Sequence, residues 1–440
     1  MSLNQTFKVQ PQGSLQGRIR VPGDKSISHR SIIIGAIAVG TTEVKGFLEG
    51  KDSLATIKAF RDMGVTISEP IDGSLSIEGV GLHGLQAPDL PLDMGNSGTA
   101  MRLLCGLLAA QDFSSTLIGD ASLSTRPMKR ITAPLKAMGA KLELKAGDVA
   151  PIEISSARLT AINYEMPVAS AQVKSCLLLA SLYVDGKTTI IEPAPCRNHT
   201  ELMLQGFSYP IAITNNRVEI EGGAKLKACD IDIPTDISSA AFFLVGASIA
   251  PGSDLTLQHV GINPTRVGVI NILRAMGADI EYLREYEVSG EAVADIRVRY
   301  ASLRGIEIPV DQVPLAIDEF PALFIAAACA EGSTILSGAE ELRVKESDRI
   351  QTMAEGLTTL GISYEIKLDG IIITGSAGAS MTGGVIDSKG DHRIAMAFTI
   401  AALAAKDAIS ILDCDNVATS FPGFAELAQS CGIDIQVNES

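Results

Sequence analysis

The chain has 440 residues, of which 46% are hydrophobic, and its formal net charge at pH 7 is −15. A chain of this length is expected to bury a large core and to fold as two or more domains. The acidic balance argues against a general binder of nucleic acid or of anionic membranes, so any pocket for an anion must concentrate its Lys and Arg residues locally.

The sequence gives no indication of a membrane-spanning segment or of an export signal. No apolar stretch reaches the roughly 18 uncharged residues that a membrane-spanning helix needs, and the first residues lack the apolar segment of a secretory signal. The seven Cys residues include no CxxC pair, which predicts reduced thiols in a cytoplasmic protein. The five His residues lack metal-ligand spacing, so we expect no zinc site.

From its first helix onward, the chain repeats one pattern six times: a polar start, an apolar helical run, a turn and a β-type run. The starts are Lys25-Ser26, Ser97-Gly98, Ser170-Ala171, Asp236-Ile237, Asp318-Glu319 and Asp391-His392. In each copy a second, amphipathic helix ends at a glycine before a short alternating strand. These glycines, expected to cap the helices with positive φ, are Gly64, Gly139, Gly206, Gly277, Gly361 and Gly432.

Two independent patterns in six copies predict an α/β protein with two domains of three repeats each. The boundary is expected between Lys225 and Pro234, and residues 1–20 could pair with either domain. An ordinary doubly wound α/β sheet is the alternative, because it also alternates helices with strands.

The repeat starts of the first half contain groups suited to anions. Lys25, Ser26 and Arg30 can share one face near a helix N-terminus, where free N–H groups and the helix dipole attract negative charge. Gly98 lies in the string GNSGTAMR, whose glycines allow backbone N–H groups to approach a ligand closely. The alternative is that these are ordinary helix caps with solvated charges.

Three further segments carry candidate residues whose interpretation stays open. Arg126 lies in a loop, where a lone Arg is usually solvated. Ser170 and Gln172 open the third repeat helix and can bond a hydroxylated ligand, although Ser170 could simply cap the helix. Asp318 could likewise be only a cap, and the alternating charges of 343–349 could form a solvated helix face.

The basic residues nevertheless concentrate at or just after the repeat starts of an otherwise acidic chain. Helix N-termini combined with Arg and Lys are suited to polyanionic small molecules. Asp318 and Glu346 would be carboxylates in a cationic pocket, where acid–base catalysts are usefully tuned. The basic residues concerned are Lys25, Arg30, Arg126, Arg197, Lys345, Arg349 and Arg393.

Six strings in chain order resemble the family of 5-enolpyruvylshikimate-3-phosphate synthases (3-phosphoshikimate 1-carboxyvinyltransferases): VPGDKSISHR, GNSGTAMR, SAQVKS, RVKESDR, DHRIAM and ATSFP. The resemblance implies an inside-out α/β barrel, the enolpyruvyl transferase fold, with two domains of three βαβαββ units. It implies that 22–234 form one domain, that 1–21 and 235–440 form the other, and that the active site lies in the cleft between them. The implied reaction transfers the enolpyruvyl group of phosphoenolpyruvate to the 5-hydroxyl of shikimate 3-phosphate, releasing phosphate, without metal or other cofactor.

The resemblance also implies the site residues and their roles. Asp318 is the candidate base for the attacking hydroxyl, and Glu346 or Lys25 could protonate the methylene carbon of phosphoenolpyruvate. The residues implied to bind shikimate 3-phosphate are Lys25, Ser26, Arg30, Ser170, Ala171, Gln172, Arg197, Asp318 and Lys345. Those implied to surround phosphoenolpyruvate are Lys25, Asn96, Gly98, Arg126, Gln172, Glu346, Arg349 and Arg393.

One position departs from the pattern of many family members: Ser420 stands where they have a Lys before the late Phe-Pro. With ASAQVKS, this points to the branch called class II. Some members of that branch tolerate glyphosate through an Ala at the place of Gly98, so this chain is expected to be inhibited by glyphosate. We further expect a cytoplasmic monomer that acts on small molecules and binds neither nucleic acid nor membranes.

Two rival functions remain at the level of sequence. The sister enzymes that transfer enolpyruvyl to UDP-N-acetylglucosamine typically have a reactive Cys in the loop that reads Asp120-Ala121-Ser122-Leu123-Ser124 here. A non-catalytic repeat protein that binds a phosphorylated metabolite would keep the cations but would not need Asp318 and Glu346.

Overall fold

The computed structural model describes residues 5–378 and 381–439. These residues form twelve α-helices, which alternate with short strands along the whole chain. The helices are α1 (Lys25–Ala36), α2 (Lys51–Asp62), α3 (Gly98–Leu108), α4 (Lys129–Ala137), α5 (Ala171–Ser181), α6 (His199–Gly206), α7 (Ile237–Ile249), α8 (Gly268–Ala275), α9 (Phe320–Cys329), α10 (Arg349–Thr359), α11 (His392–Ala401) and α12 (Phe424–Cys431).

The described strands form six sheets, and the chain divides into two compact units with three sheets each. The N unit comprises Gly23–Ile233 and Glu287–Glu291, and the C unit comprises the described parts of 1–22, 234–286 and 292–440. The sheets of the N unit contain β3 (Val39–Lys45), β4 (Thr66–Ile67), β5 (Leu75–Val80) and β14 (Ile231–Asp232); β6 (Leu92–Asp93), β7 (Ser115–Ile118), β8 (Lys141–Lys145) and β9 (Val149–Ser155); and β10 (Asn163–Glu165), β11 (Lys187–Ile191), β12 (Ile211–Thr214) and β13 (Arg217–Glu221). Those of the C unit contain β2 (Gln16–Ile19), β15 (Asp254–Gly261), β16 (Asp279–Val288) and β17 (Glu291–Arg299); β18 (Ser333–Leu336), β19 (Ser363–Ile366) and β20 (Ile371–Thr374); and β1 (Gln5–Val9), β21 (Gly384–Asp387), β22 (Ile409–Leu412) and β23 (Ile435–Glu439).

The repeat is visible in the order of the elements. In the second repeat the chain runs β6, α3, β7, α4, β8 and β9, with β6 parallel to β7 and the other pairs antiparallel. The third repeat follows the same order from β10 to β13. The predicted α/β architecture built from βαβαββ repeats is therefore confirmed.

Three strands serve a different repeat from the one that they adjoin in sequence. The strand just before α1 is β2, but it pairs with β15 of the fourth repeat. The strand before α7 is β14, and it pairs with β3 of the first repeat. The first strand of the chain, β1, lies between β22 and β23 of the sixth repeat. The open question about the first 20 residues is answered by these pairings, because β1 and β2 both belong to sheets of the C unit.

Each unit has its own hydrophobic core around the first helices of its three repeats. In the C unit, α7, α9 and α11 pack against one another, and every residue of α7 is buried. A helix that is apolar all round requires such surroundings. In the N unit, α3 packs closely on α5. The approach is so close that a Cβ at Gly106 would lie 2.0 Å from the carbonyl oxygen of Cys176. Glycine is required at this approach of the two helices.

The predicted helix ends agree with the structure at most positions. Five of the six expected glycines have positive φ just after a helix. Gly206 was predicted wrongly: it is the last residue of α6, and Ser208 takes the positive φ of 61° instead. The interpretation of Asp318 as a cap is also wrong, because α9 begins at Phe320 and Glu319 occupies the cap position.

No described helix has both the length and the apolar character needed to cross a membrane.

Candidate functional site

The start of α1 presents Lys25, Ser26 and Arg30 together, as the sequence predicted. Asp24 caps the helix, and its carboxylate accepts a hydrogen bond from the Ile27 N–H at 2.9 Å. Lys25 forms an ion pair with Asp52 of α2. One turn further on, the Arg30 guanidinium donates to the Ser26 carbonyl oxygen at 2.9 Å, which fixes both groups at the helix start.

Arg30 joins the first repeat to the third. Its Nε donates to Thr200 Oγ1 and its Nη2 donates to Ser175 Oγ, both at 2.7 Å. Burial lowers the pKa of Arg30 to about 10, although the nearby Glu201 carboxylate opposes this effect. Arg197 contributes a further lowering, so its cation acts in the same electrostatic neighbourhood as that of Arg30.

His29 connects α1 to the start of α3. One ring nitrogen lies 2.8 Å from Thr56 Oγ1, and the other lies 3.3 Å from Ser97 Oγ. Ser97 in turn caps α3 by accepting from the Ala100 N–H. Burial first, and then the charges of Lys25 and Arg30, hold the pKa of His29 well below its usual value. The ring therefore stays neutral and serves as a fixed spacer between two helix starts.

The start of α3 brings Asn96, Gly98 and Arg126 together. Arg126 Nη2 donates to Asn96 Oδ1 at 2.8 Å, which connects the 122–127 loop with the glycine string. A Cβ at Gly98 would lie 3.3 Å from Nη1 of Arg126 and 2.9 Å from Nη1 of Arg102. Because Gly98 has no side chain, its backbone lies directly beside these guanidinium groups, and a ligand bound by them could come close to the backbone.

The start of α5 carries Ser170, Ala171 and Gln172. Ser170 caps the helix by accepting from the Val173 N–H at 3.4 Å, so the capping interpretation is confirmed for this residue. Arg102 donates to Gln172 Oε1 at 2.9 Å, and Gln172 Nε2 donates to Thr99 Oγ1 at 3.1 Å. The orientation of the Gln172 amide is therefore set from α3.

These contacts link the starts of α1, α3 and α5 into one group of residues in the N unit. We call it the N cluster, and its members are Lys25, Ser26, Arg30, Asn96, Gly98, Arg126, Ser170, Ala171, Gln172 and Arg197.

A second cluster in the C unit is organised by Arg349, the first residue of α10, whose side chain is 1% exposed. Its Nε donates to Asp391 Oδ2 at 2.9 Å and its Nη2 donates to Glu346 Oε2 at 2.5 Å. Its Nη1 lies 3.4 Å from Asp318 Oδ1. Burial alone would lower the pKa of Arg349, but the three carboxylates, Asp391 foremost, raise it above its ordinary value. The solvated-face alternative for this segment is therefore wrong at Arg349.

Asp318 is the common neighbour of the other cations in this region. Lys345 Nζ lies 3.6 Å from Asp318 Oδ1, and Arg393 Nη1 donates to the Asp318 carbonyl oxygen at 3.0 Å. The structure thus brings together the residues that we call the C cluster: Asp318, Lys345, Glu346, Arg349 and Arg393.

Several residues that shape the clusters were not among the predicted site residues. Asp52 pairs with Lys25, Arg102 orients Gln172, and Asp391 holds Arg349 while also capping α11. Arg102 and Asp391 stand inside the strings GNSGTAMR and DHRIAM, so their position beside predicted residues was the available signal. Nothing in the sequence marks Asp52, which becomes relevant only because α2 packs on α1.

The two clusters can bind anions and move protons. Helix N-termini, guanidinium groups and an ammonium group favour phosphate and carboxylate ligands, and the carboxylates of the C cluster supply proton acceptors or donors. Among the described residues, no group of three or more His, Cys, Asp and Glu side chains is arranged to hold a metal ion.

Solved structures share this architecture. An EPSP synthase from Acinetobacter baumannii superposes with a TM-score of 0.90 at 54% sequence identity, covering 99% of this chain and 100% of that one. The enolpyruvyl transferase NikO from Streptomyces tendae shares the fold with a TM-score of 0.81 at 16% identity over the full length of both chains. The predicted enolpyruvyl transferase fold is thus confirmed.

Sequence comparison identifies the family. A profile described as EPSP synthase (3-phosphoshikimate 1-carboxyvinyltransferase) matches residues 9–427. Proteins named 3-phosphoshikimate 1-carboxyvinyltransferase are 64% identical in Methylococcus capsulatus, over 98% of both chains, and 59% identical in Hydrogenovibrio crunogenus, over 100% of both. The chain belongs to the EPSP synthase family. Its activity is the family's transfer of the enolpyruvyl group of phosphoenolpyruvate to shikimate 3-phosphate in the shikimate pathway.

Proposed function

We propose that the N and C clusters form one active site, which lies in the cleft between a domain of residues 22–234 and a domain of residues 1–21 and 235–440. The observation that carries this proposal is the position of both clusters at or near helix starts, those of α1, α3 and α5 in the N unit and of α9, α10 and α11 in the C unit, where cations and helix N–H groups gather. A reaction of two phosphorylated substrates needs such groups on more than one side.

Shikimate 3-phosphate is assigned mainly to the N cluster. Arg30 and Arg197 are near enough for the charge of one to affect the pKa of the other, and two such guanidinium groups suit its phosphate group. Gln172, held by Arg102, suits its hydroxyls. The full proposed set is Lys25, Ser26, Arg30, Ser170, Ala171, Gln172, Arg197, Asp318 and Lys345.

Phosphoenolpyruvate is assigned to residues from both clusters. Arg126, Arg349 and Arg393 would hold its carboxylate and phosphate and stabilise the charge that develops during the reaction. Asn96 and Gly98 leave room for its close approach to the start of α3. The full proposed set is Lys25, Asn96, Gly98, Arg126, Gln172, Glu346, Arg349 and Arg393.

The proposed chemistry uses three proton-transfer groups. Asp318 accepts the proton of the 5-hydroxyl as its oxygen attacks C2 of phosphoenolpyruvate, and Glu346 or Lys25 protonates the methylene carbon. The tetrahedral intermediate then loses phosphate as a proton leaves the new methyl group. The neighbouring cations support this role for Asp318, because Lys345 and Arg349 lie 3.6 and 3.4 Å from its carboxylate and hold it in place. Domain closure would exclude water during these steps.

We further propose that the protein works as a cytoplasmic monomer and that glyphosate inhibits it by occupying the phosphoenolpyruvate position. The lack of a side chain at Gly98 supports inhibition, because no methyl group crowds a long inhibitor beside the Arg102 and Arg126 guanidinium groups.

The decisive experiment measures phosphate release from phosphoenolpyruvate in the presence of shikimate 3-phosphate. We expect release that depends on both compounds. Release only with UDP-N-acetylglucosamine would instead favour the sister activity. Binding of both compounds without any release would favour a binding protein.

A further inference from the structure

The N unit contains a buried lysine that no proposed substrate contact involves. Lys174 lies on α5, two residues after Gln172, and its side chain is 1% exposed. Its Nζ lies 2.6 Å from Glu192 Oε1 and 2.6 Å from Glu201 Oε1. A lysine buried this deeply requires paired carboxylates, so its conformation is strongly determined.

The two carboxylates flank the loop that carries Arg197. Glu192 directly follows β11, and Glu201 lies in the first turn of α6. Between them, the Cys196 carbonyl oxygen accepts a hydrogen bond from Lys174 Nζ at 3.4 Å, and the Cys196 thiol donates to Glu192 Oε1 at 2.6 Å. Lys174 therefore holds the loop at both ends and at the residue next to Arg197.

The positive charge of Lys174 also offsets the negative charge of the two carboxylates near Arg30 and Arg197. Burial alone would lower the pKa of Lys174, but Glu201 first, and then Cys196 and Glu192, raise it above its ordinary value, so the ammonium stays charged. Glu201 also raises the pKa of Arg30, and the charge of Arg197 lowers it. Without Lys174, two buried carboxylates would remain in this neighbourhood and would compete with phosphate for the guanidinium groups.

We propose that Lys174 is a positioning residue for shikimate 3-phosphate: through Glu192, Glu201 and Cys196 it fixes the loop that presents Arg197 to the substrate phosphate. This inference rests on the proposed role of Arg197 in binding that substrate. It implies that Lys174 affects catalysis only by way of Arg197.

The test is a double-mutant cycle with Lys174→Met and Arg197→Ala, assayed by phosphate release. We expect Lys174→Met to raise the KM for shikimate 3-phosphate at least tenfold, while kcat and the KM for phosphoenolpyruvate stay within about threefold. The double variant should then have a KM for shikimate 3-phosphate within about twofold of Arg197→Ala alone, because both changes remove the same interaction.

The control is Leu178→Ala in the same helix. Because Leu178 is fully buried, this change leaves a cavity and should lower the melting temperature without changing the KM for shikimate 3-phosphate. If Lys174→Met does not fold, Glu192→Gln takes its place, with an expected KM rise of at least threefold that likewise vanishes in the Arg197→Ala background. Multiplicative effects of the two changes on KM, or an unchanged KM in the folded variant, would refute the positioning role. If Arg197→Ala itself leaves the KM unaltered, the failure lies instead in the proposed substrate site.

Discussion

At the scale of single residues, the C cluster depends on how one guanidinium is surrounded. The sequence indicated Arg349 only as part of a run of charges, which fits a solvated helix as well as a site. Burial at the start of α10 decides between the two, because a buried guanidinium must be paired with carboxylates such as Asp391 and Glu346. Arg349 and its near neighbour Glu346 were predictable, but Asp391 lies 42 residues further along the chain, and its pairing with Arg349 was not.

The proposed base gives the first prediction at this scale. Asp318→Asn keeps the shape of the side chain but removes a proton acceptor, so we expect kcat to fall by about 10²–10⁴-fold. The melting temperature should stay close to that of the wild type. Asp311→Asn, a change at an exposed residue, serves as the control. Near-normal turnover of Asp318→Asn would remove Asp318 from the mechanism.

Gly98 gives a second prediction. The methyl group of Gly98→Ala would meet the ends of the flexible Arg102 and Arg126 side chains, at 2.9 and 3.3 Å from their Nη1 atoms. These side chains can shift, so the variant should fold normally. We expect its inhibition constant for glyphosate to rise more than its KM for phosphoenolpyruvate, since the longer inhibitor is crowded more. Parallel changes in the two constants would contradict this account of Gly98.

A third prediction concerns acid stability at His29. The folded protein holds the pKa of His29 well below the 6.5 of the unfolded chain, so only the unfolded chain takes up this proton as the pH falls below 6.5. Stability from this group is therefore complete above pH 6.5 and is lost below it, by up to about 1.4 kcal/mol per pH unit.

Urea unfolding between pH 7.5 and 5.0 measures this loss. The variant His29→Gln should show a shallower decline in the free energy of unfolding than the wild type. The variant His83→Gln, at an exposed histidine, should follow the wild type. Equal slopes for His29→Gln and the wild type would mean that His29 is not kept neutral by the fold.

At the scale of elements, the helices were largely predictable and the strand partners were not. Apolar runs with polar starts located the first helix of each repeat, because helix formation and capping depend on neighbouring residues. The pairing of β2 with β15 joins segments more than 200 residues apart, and no local pattern encodes it. The prediction that Gly206 caps its helix was wrong, because α6 continues to Gly206 and Ser208 adopts the positive φ after it.

Helix packing gives a prediction with a matched control. In Gly106→Ala the new methyl group would lie 2.0 Å from the Cys176 carbonyl oxygen, which forces α3 and α5 apart. We expect a loss of about 1–3 kcal/mol in the free energy of unfolding, or more. Gly206→Ala has no atom within 4 Å of the new Cβ and a negative φ, so it should be neutral or slightly stabilising. Urea midpoints of the two variants test the contrast.

At the scale of the whole molecule, the number of repeats and their α/β character were predictable because six copies reinforce one another. The exchange of strands between repeats was not, since it depends on how the repeats close within each unit. Segment 287–291 also escaped prediction: it contains the end of β16, the turn and the first residue of β17, yet it belongs to the N unit, whereas the rest of both strands belongs to the C unit. Its Glu291 carboxylate lies 2.6 Å from His199 Nδ1, a contact that no local sequence pattern indicates.

The strand exchange predicts how the C unit responds to cutting. A chain of 234–440 lacks β1 and β2, so the sheet with β22 and β23 loses an interior strand. We expect this fragment to show no cooperative unfolding transition. Joining residues 1–22 behind its C-terminus through a flexible linker should restore the transition. Cooperative unfolding of the unjoined fragment would show that β1 is dispensable.

The interior place of β1 also has a consequence for synthesis on the ribosome. Val9 pairs with Ile409, which is translated roughly 400 residues later. At about 5–20 residues per second, that delay is about 20–80 s. During this time β1 has neither of its neighbouring strands, whereas nearly all of the N unit has already emerged. The N unit is therefore expected to form first, while β1 remains an unpaired nascent strand, open to aggregation, until the sixth repeat has been translated.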